Sequence, residues 1–97
     1  MYDLVIEEKA FRELAGFRAS EQRLILDSID QQLPAEPMTE TRNRKPLRLN
    51  ELASWELRVG RFRVFYDIDA ATNTVRVKAI GAKEGNRLLI GGEEFEL

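Results

Sequence analysis

Trp55-Glu56-Leu57-Arg58-Val59-Gly60-Arg61-Phe62-Arg63-Val64-Phe65-Tyr66-Asp67 holds two runs of strand-like alternation that meet at a single glycine. Successive side chains of a strand point to opposite faces. Trp55, Leu57 and Val59 therefore share a face opposite Glu56 and Arg58; past Gly60 the apolar set is Phe62, Val64, Tyr66 and Ile68, opposite Arg61 and Arg63. A hairpin that pairs Arg58 with Arg61 sets Leu57 against Phe62, Trp55 against Val64 and Glu56 against Arg63. It also gathers Arg58, Arg61 and Arg63 around one carboxylate. Guanidinium groups bind phosphate oxygens bidentately, so this face reads as an anion-binding surface.

The charge around the hairpin agrees. Residues 1–41 hold four Lys/Arg and nine Asp/Glu, residues 42–63 seven and two, and residues 64–97 four and six. A net charge of −2 thus conceals a basic middle segment that can focus potential on a polyanion. Neither cysteine nor histidine occurs, which excludes disulfides and thiolate chemistry and argues against a conventional zinc site. Any catalysis must rest on carboxylate, lysine, arginine or tyrosine, and no cofactor is implied.

Ninety-seven residues suffice for one domain, residues 1–97, with one core. The N-terminus carries Asp3, Glu7 and Glu8 rather than a basic and then apolar leader, and no apolar run approaches membrane-spanning length. A cytoplasmic protein with no membrane partner is the expectation.

Upstream of the hairpin, Tyr2 to Ile6 reads as a strand. Ala10, Phe11, Leu14 and Ala15 then keep helical spacing, predicting about three turns that end near Gly16 or Arg18. Ser20 is placed to cap a second helix whose face is Leu24, Ile25, Ser28, Ile29 and Leu33, stopped by Pro34. Residues 34–45 read as a loop carrying Arg42, Arg44 and Lys45, with a short extended segment at Pro46 to Leu49. Downstream, Asp69 to Thr74 reads as a turn, and Val75, Val77 and Ala79 alternate with Arg76 and Lys78 in a further strand. Leu88 to Ile90 before Gly91-Gly92 suggests a short last strand. The order β-α-α-β-β-β describes an α+β domain: two N-terminal helices packed on one face of an antiparallel sheet, the other face open.

That element order resembles the RelE/ParE superfamily of toxins from type II toxin–antitoxin systems. The likeness is carried also by Lys45-Pro46-Leu47-Arg48, by the hairpin, and by Ile80-Gly81-Ala82-Lys83-Glu84. It implies a cognate antitoxin as partner, and one of two targets. The RelE branch is a metal-independent endoribonuclease that cleaves mRNA on the ribosome and so inhibits translation; the ParE branch inhibits DNA gyrase without enzymatic action. A degenerate toxin homologue that only binds antitoxin is a third reading. Matched by position, the catalytic set implied is Arg58, Arg63 and Lys83, with Glu56 in the same neighbourhood. Arg61, Lys45, Arg48, Arg76, Lys78 and Arg87 are the implied RNA or phosphate contacts. The sequence departs from the nuclease pattern in three places. Glu56 stands where a lysine is frequent, Lys45 stands where some relatives have glutamate, and Asn86-Arg87-Leu88-Leu89 lacks the tyrosine or histidine of many nuclease members.

Glu56 can act as a base, although a neighbouring arginine lowers a carboxylate's pKa and favours the ion-pair role. Trp55 and Tyr66 fall on the apolar face and read as core. Phe65 falls on the polar face, where it either stacks on a base or, the favoured reading, packs under the C-terminal segment.

Overall fold

The computed structural model describes residues 1–97. Strand β1 (Asp3–Ile6) leads into helix α1 (Glu8–Ala15) and helix α2 (Ala19–Gln32). The strands β2 (Arg44–Pro46), β3 (Trp55–Val59), β4 (Phe62–Asp69), β5 (Thr74–Glu84), β6 (Arg87–Ile90) and β7 (Glu93–Phe95) follow. They form one sheet in the order β2-β3-β4-β5-β6-β7, and β1 pairs with β5 as well. The α+β architecture expected from the sequence is the one observed, with three strands beyond the order β-α-α-β-β-β.

Both helices end where expected, α1 at Gly16 and α2 just before Pro34, but α1 is shorter and α2 starts from a different cap. α1 has eight residues, about two turns rather than three, and closes with the Gly16 amide donating to the Glu13 carbonyl at 3.2 Å. α2 is capped at Arg18, not Ser20, because the Glu21 carboxylate reaches back to accept the Arg18 backbone N–H at 3.1 Å. That bond also holds the Glu21 carboxyl below its ordinary pKa, helped by the Arg61 guanidinium. The inner faces of the helices, Ala10, Leu14, Ile25, Ile29 and Leu33, pack on Leu57, Val59, Phe62, Val64, Tyr66, Val75, Val77 and Ile80 to make the main core.

The sheet is antiparallel except at one place. β1 runs parallel to β5, from Asp3 opposite Thr74 to Ile6 opposite Val77, and the long connection that a parallel pair needs carries the two helices and then β2, β3 and β4. β6 takes the far end of the same β5 edge, Lys83 facing Leu88. Between these two partners lies Gly81, where an added Cβ would sit 2.4 Å from the Leu89 carbonyl oxygen and 2.6 Å from Ile90 Cγ1. Only glycine lets β6 cross so closely.

The hairpin has the expected loop length but another register. Val59 pairs with Phe62, Arg58 with Arg63, Leu57 with Val64, Glu56 with Phe65 and Trp55 with Tyr66. Arg58–Arg61 and Glu56–Arg63 are therefore not cross-strand pairs. The reason lies in Gly60, whose φ of +58° suits the first central position of a two-residue hairpin turn with Arg61 second. The expected register would have placed β-branched Val59 in that first position, at a steric cost.

A bulge on β5 overturns a second expectation. Phe65 faces Ala79 and Tyr66 faces Val77, so Lys78 is the extra residue. The phase of β5 switches there. Val75 and Val77 join the main core, as do Ile80 and Ala82, whereas Ala79 turns to the opposite face. There it meets Phe65, Ala53, Leu88 and Ile90 in a second core, with Leu47, Leu52 and Phe95 packed against it. The face expected to be open is thus closed in part by residues 47–53 and by β6 and β7, and fully buried Phe65 lies beneath them. Tyr66 is core as expected, its hydroxyl donating to the Pro37 carbonyl at 2.8 Å, and Trp55 stacks on it with ring centroids 6.1 Å apart. No helix is long and apolar enough to cross a membrane.

Candidate functional site

Beside the second core lies a cleft of about 300 Å³ lined by Lys45, Arg48, Glu56, Arg58 and Lys83, with Pro46, Leu47, Asn50 and Leu97 completing its walls. Strand pairing builds it. Lys45 on β2 stands directly opposite Glu56 on β3, and two residues along β3 the alternation brings Arg58 to the same face. Arg48 enters from the loop after β2, and Lys83 from the far end of β5. A neighbouring hollow of about 390 Å³ shares Glu56, Lys83 and Leu97 and is edged by Asn86, Glu94 and Glu96.

Four cations surround one carboxylate in the cleft. Glu56 is nearly buried, with its side chain 10% exposed, and accepts a hydrogen bond from Arg58 Nε at 3.1 Å. Lys45, Arg48 and Lys83 form no ion pair. The excess positive charge in a concave, partly desolvated wall suits a phosphodiester more than a neutral ligand. No group of His, Cys, Asp and Glu side chains is arranged to hold a metal ion.

Of the residues singled out in the sequence, five meet in this cleft: Lys45, Arg48, Glu56, Arg58 and Lys83. Arg63 borders it from β4, opposite Arg58, but its guanidinium folds back to donate to the carbonyls of Gly60 and Phe62 at 2.8 and 2.9 Å. Burial lowers the pKa of Arg63, and the charge of Arg58 lowers it further while that of Glu56 acts against both.

The other cations go elsewhere. Arg61, second in the hairpin turn, swings to the helix side, where it bonds Glu21 at 3.1 Å and lies 4.5 Å over the Phe62 ring. The trio of arginines around one acid is therefore a pair. Arg76 is exposed on β5 opposite Asp67. Lys78, moved by the bulge, bonds Glu7 at 3.1 Å and edges a separate hollow beside residues 47–54. Arg87 pairs with Glu94 at 2.9 Å. Arg44 is buried, donating to the carbonyls of Thr39 and Gln32 and approaching Glu36 at 3.4 Å, so it ties the loop after α2 to β2 and does not line the cleft.

Asn50 also lines the cleft, and neither charge nor alternation marks it in the sequence. Its signal was there: an asparagine inside a polar loop readily bonds nearby backbone. Tyr66, the only tyrosine on the hairpin, lies outside the cleft with its hydroxyl sealed in the core, where burial pushes its pKa well up.

No protein-family profile and no curated relative matches the chain. Solved structures do. The RelBE2 toxin–antitoxin complex of Mycobacterium tuberculosis matches with a TM-score of 0.73 at 24% identity, over 84% of this chain and 98% of the other. The archaeal RelE–RelB complex of Pyrococcus horikoshii OT3 gives 0.69 at 18%, over 88% and 97%. The isolated E. coli RelE toxin gives 0.63 at 16%, over 89% and 88%. With most of each chain superposed on the same order of strands and helices, this protein has the fold of the RelE toxins.

Proposed function

We propose that this chain is the toxin of a type II toxin–antitoxin pair and, within that class, a RelE-like endoribonuclease that cleaves mRNA on the ribosome without a metal ion. The cleft carries the reading: Lys45, Arg48, Arg58 and Lys83 converge on one concavity with a single carboxylate among them. RNA cleavage by internal transfer requires a base for the 2′-hydroxyl, positive charge on the phosphate and a proton for the departing 5′-oxygen. In this scheme Arg58 and Lys45 neutralise the phosphate. Glu56 takes the 2′-hydroxyl proton as the 2′-oxygen attacks phosphorus, and Lys83 protonates the 5′-oxygen as its bond breaks, leaving a 2′,3′-cyclic phosphate. An antitoxin partner and a cytoplasmic site of action belong to the same proposal, supported by the fold shared with toxins solved in antitoxin complexes.

One observation favours a second reading, inhibition of DNA gyrase by binding alone. The cleft holds neither tyrosine nor histidine, and a purely binding toxin needs no proton donor. Expression in a translation extract separates the two. Endoribonuclease action is expected to give ribosome-dependent mRNA cleavage that falls at least 100-fold in Arg58→Ala, a typical loss for one transition-state contact of about 2.7 kcal/mol or more. Intact mRNA alongside inhibited gyrase supercoiling would overturn it.

A further inference from the structure

Asn50 gives all of its side-chain hydrogen bonds to one loop. Its Oδ1 accepts the backbone N–H groups of Leu52 and Ala53 at 2.7 and 3.1 Å, and its Nδ2 donates to the carbonyls of Arg48 and Ala53 at 2.7 and 2.9 Å. The base of the loop is closed by the Leu47 amide on the Ser54 carbonyl at 2.8 Å, which continues the β2–β3 ladder by one step. Beyond that step no sheet partner holds residues 48–53. Leu52 and Ala53 anchor one limb in the second core, whereas Arg48 on the other limb is exposed and makes no ion pair. Leu47 holds that limb at its base, and the bond from Nδ2 to the Arg48 carbonyl extends the tie one residue further, to Arg48 itself.

We infer that Asn50 is a positioning residue for the phosphate-binding cleft: it fixes the backbone of Arg48 so that this guanidinium is held at the cleft wall when an RNA phosphate arrives. The inference rests on the reading of the cleft as an RNA site. Its physical content is preorganisation. A flexible arginine on a loose loop loses conformational freedom on each binding event, and four hydrogen bonds from one amide spend that entropy during folding. The role is indirect, since Asn50 acts through Arg48 and need not touch the ligand.

The test is a double-mutant cycle read by binding of a short single-stranded RNA across a salt series. One phosphate contact on a single strand contributes a slope of roughly 0.7 in log K against log salt, which is about five-fold in affinity at about 0.1 M. Arg48→Ala is expected to lose about that much. Asn50→Ala should lose about two- to five-fold, with the salt slope reduced in step, and should lose nothing further in the Arg48→Ala background. Asn50→Ser, neutral and able to accept one loop amide, should recover part of the loss and serves also if Asn50→Ala folds poorly. An Asn50 effect that persists undiminished without Arg48, or no Asn50 effect beside a clear Arg48 effect, overturns the positioning role alone. Absence of RNA binding by the wild-type chain, or full affinity in Arg48→Ala, overturns the cleft reading and the positioning role with it.

Discussion

Replacing Glu56 by glutamine separates binding from chemistry. Glu56 is the one carboxylate among four cations of the cleft, and it lies beside a pair of arginines, Arg58 and Arg63, that face each other across the hairpin. Like charges directly opposite in a sheet repel, so the carboxylate stabilises the fold. A charge-assisted hydrogen bond contributes about 1.5–3 kcal/mol when buried and under about 1 when exposed. The Arg58 side chain is 42% exposed and that of Glu56 10%, which places this pair between those limits, at about 1–2 kcal/mol. At about 4–8 °C per kcal/mol for a domain of this size, Glu56→Gln should melt about 5–15 °C lower, with the gap narrowing as salt screens the arginines. Affinity for single-stranded RNA should move the other way. One unit of negative charge is gone from a phosphate site, so binding should tighten about five-fold at about 0.1 M salt and the salt slope should steepen by roughly 0.7. Cleavage should be lost in the same variant, because glutamine accepts no proton from the 2′-hydroxyl. A less stable protein that binds RNA more tightly and cuts none of it is the expected outcome, measured by thermal melts, fluorescence anisotropy and gel assay. RNA affinity that is unchanged or weaker in Glu56→Gln would show that phosphate does not bind beside this carboxylate.

Two further predictions concern the fold that carries the cleft. Arg44→Met keeps the apolar stem but removes the bonds to Thr39 and Gln32 and the approach to Glu36; it removes hydrogen bonds from a charged, buried donor, so a loss of about 1.5–3 kcal/mol and a melting temperature about 6–20 °C lower are expected, with RNA affinity unchanged once folded. Glu21 and Asp69 have folded-state pKa values below their ordinary 4.5 and 3.8, through the Arg18 amide in the first case and the Thr72 hydroxyl and amide in the second. Their stabilisation is therefore complete above those ordinary values and is lost as pH falls through the lowered ones. Melting temperature should fall with acid below about pH 4.5, and the combined Glu21→Gln and Asp69→Asn variant should show a shallower fall over that window, as read by circular dichroism.

The contrast between the two sides of the hairpin explains how far the sequence could be read. Moving the register from Leu57 opposite Phe62 to Leu57 opposite Val64 changes every partner by two residues and no residue's face. Apolar side chains are interchangeable to the core, so its membership is the same in either register; the polar side is specific to its neighbours, so Glu56 takes Arg58 as its partner and Arg61 pairs elsewhere, with Glu21. A shift of one residue is less forgiving. The bulge at Lys78 is such a shift, and it alone sends Ala79 to the second core and Lys78 away from the cleft. Neither device leaves a strong mark in hydrophobic alternation. The turn is marked by one glycine, which fits two loop positions until φ is known, and the bulge by no residue of special type. The cleft itself draws Lys45, Arg48, Glu56, Arg58 and Lys83 from separate stretches of chain, and no period could unite them. Resemblance pointed to Arg58 and Lys83 because a fold preserves position where pattern preserves only face. The same distinction accounts for Asn50, whose influence on the cleft passes through a backbone carbonyl and so leaves no trace in the charge or periodicity of the sequence.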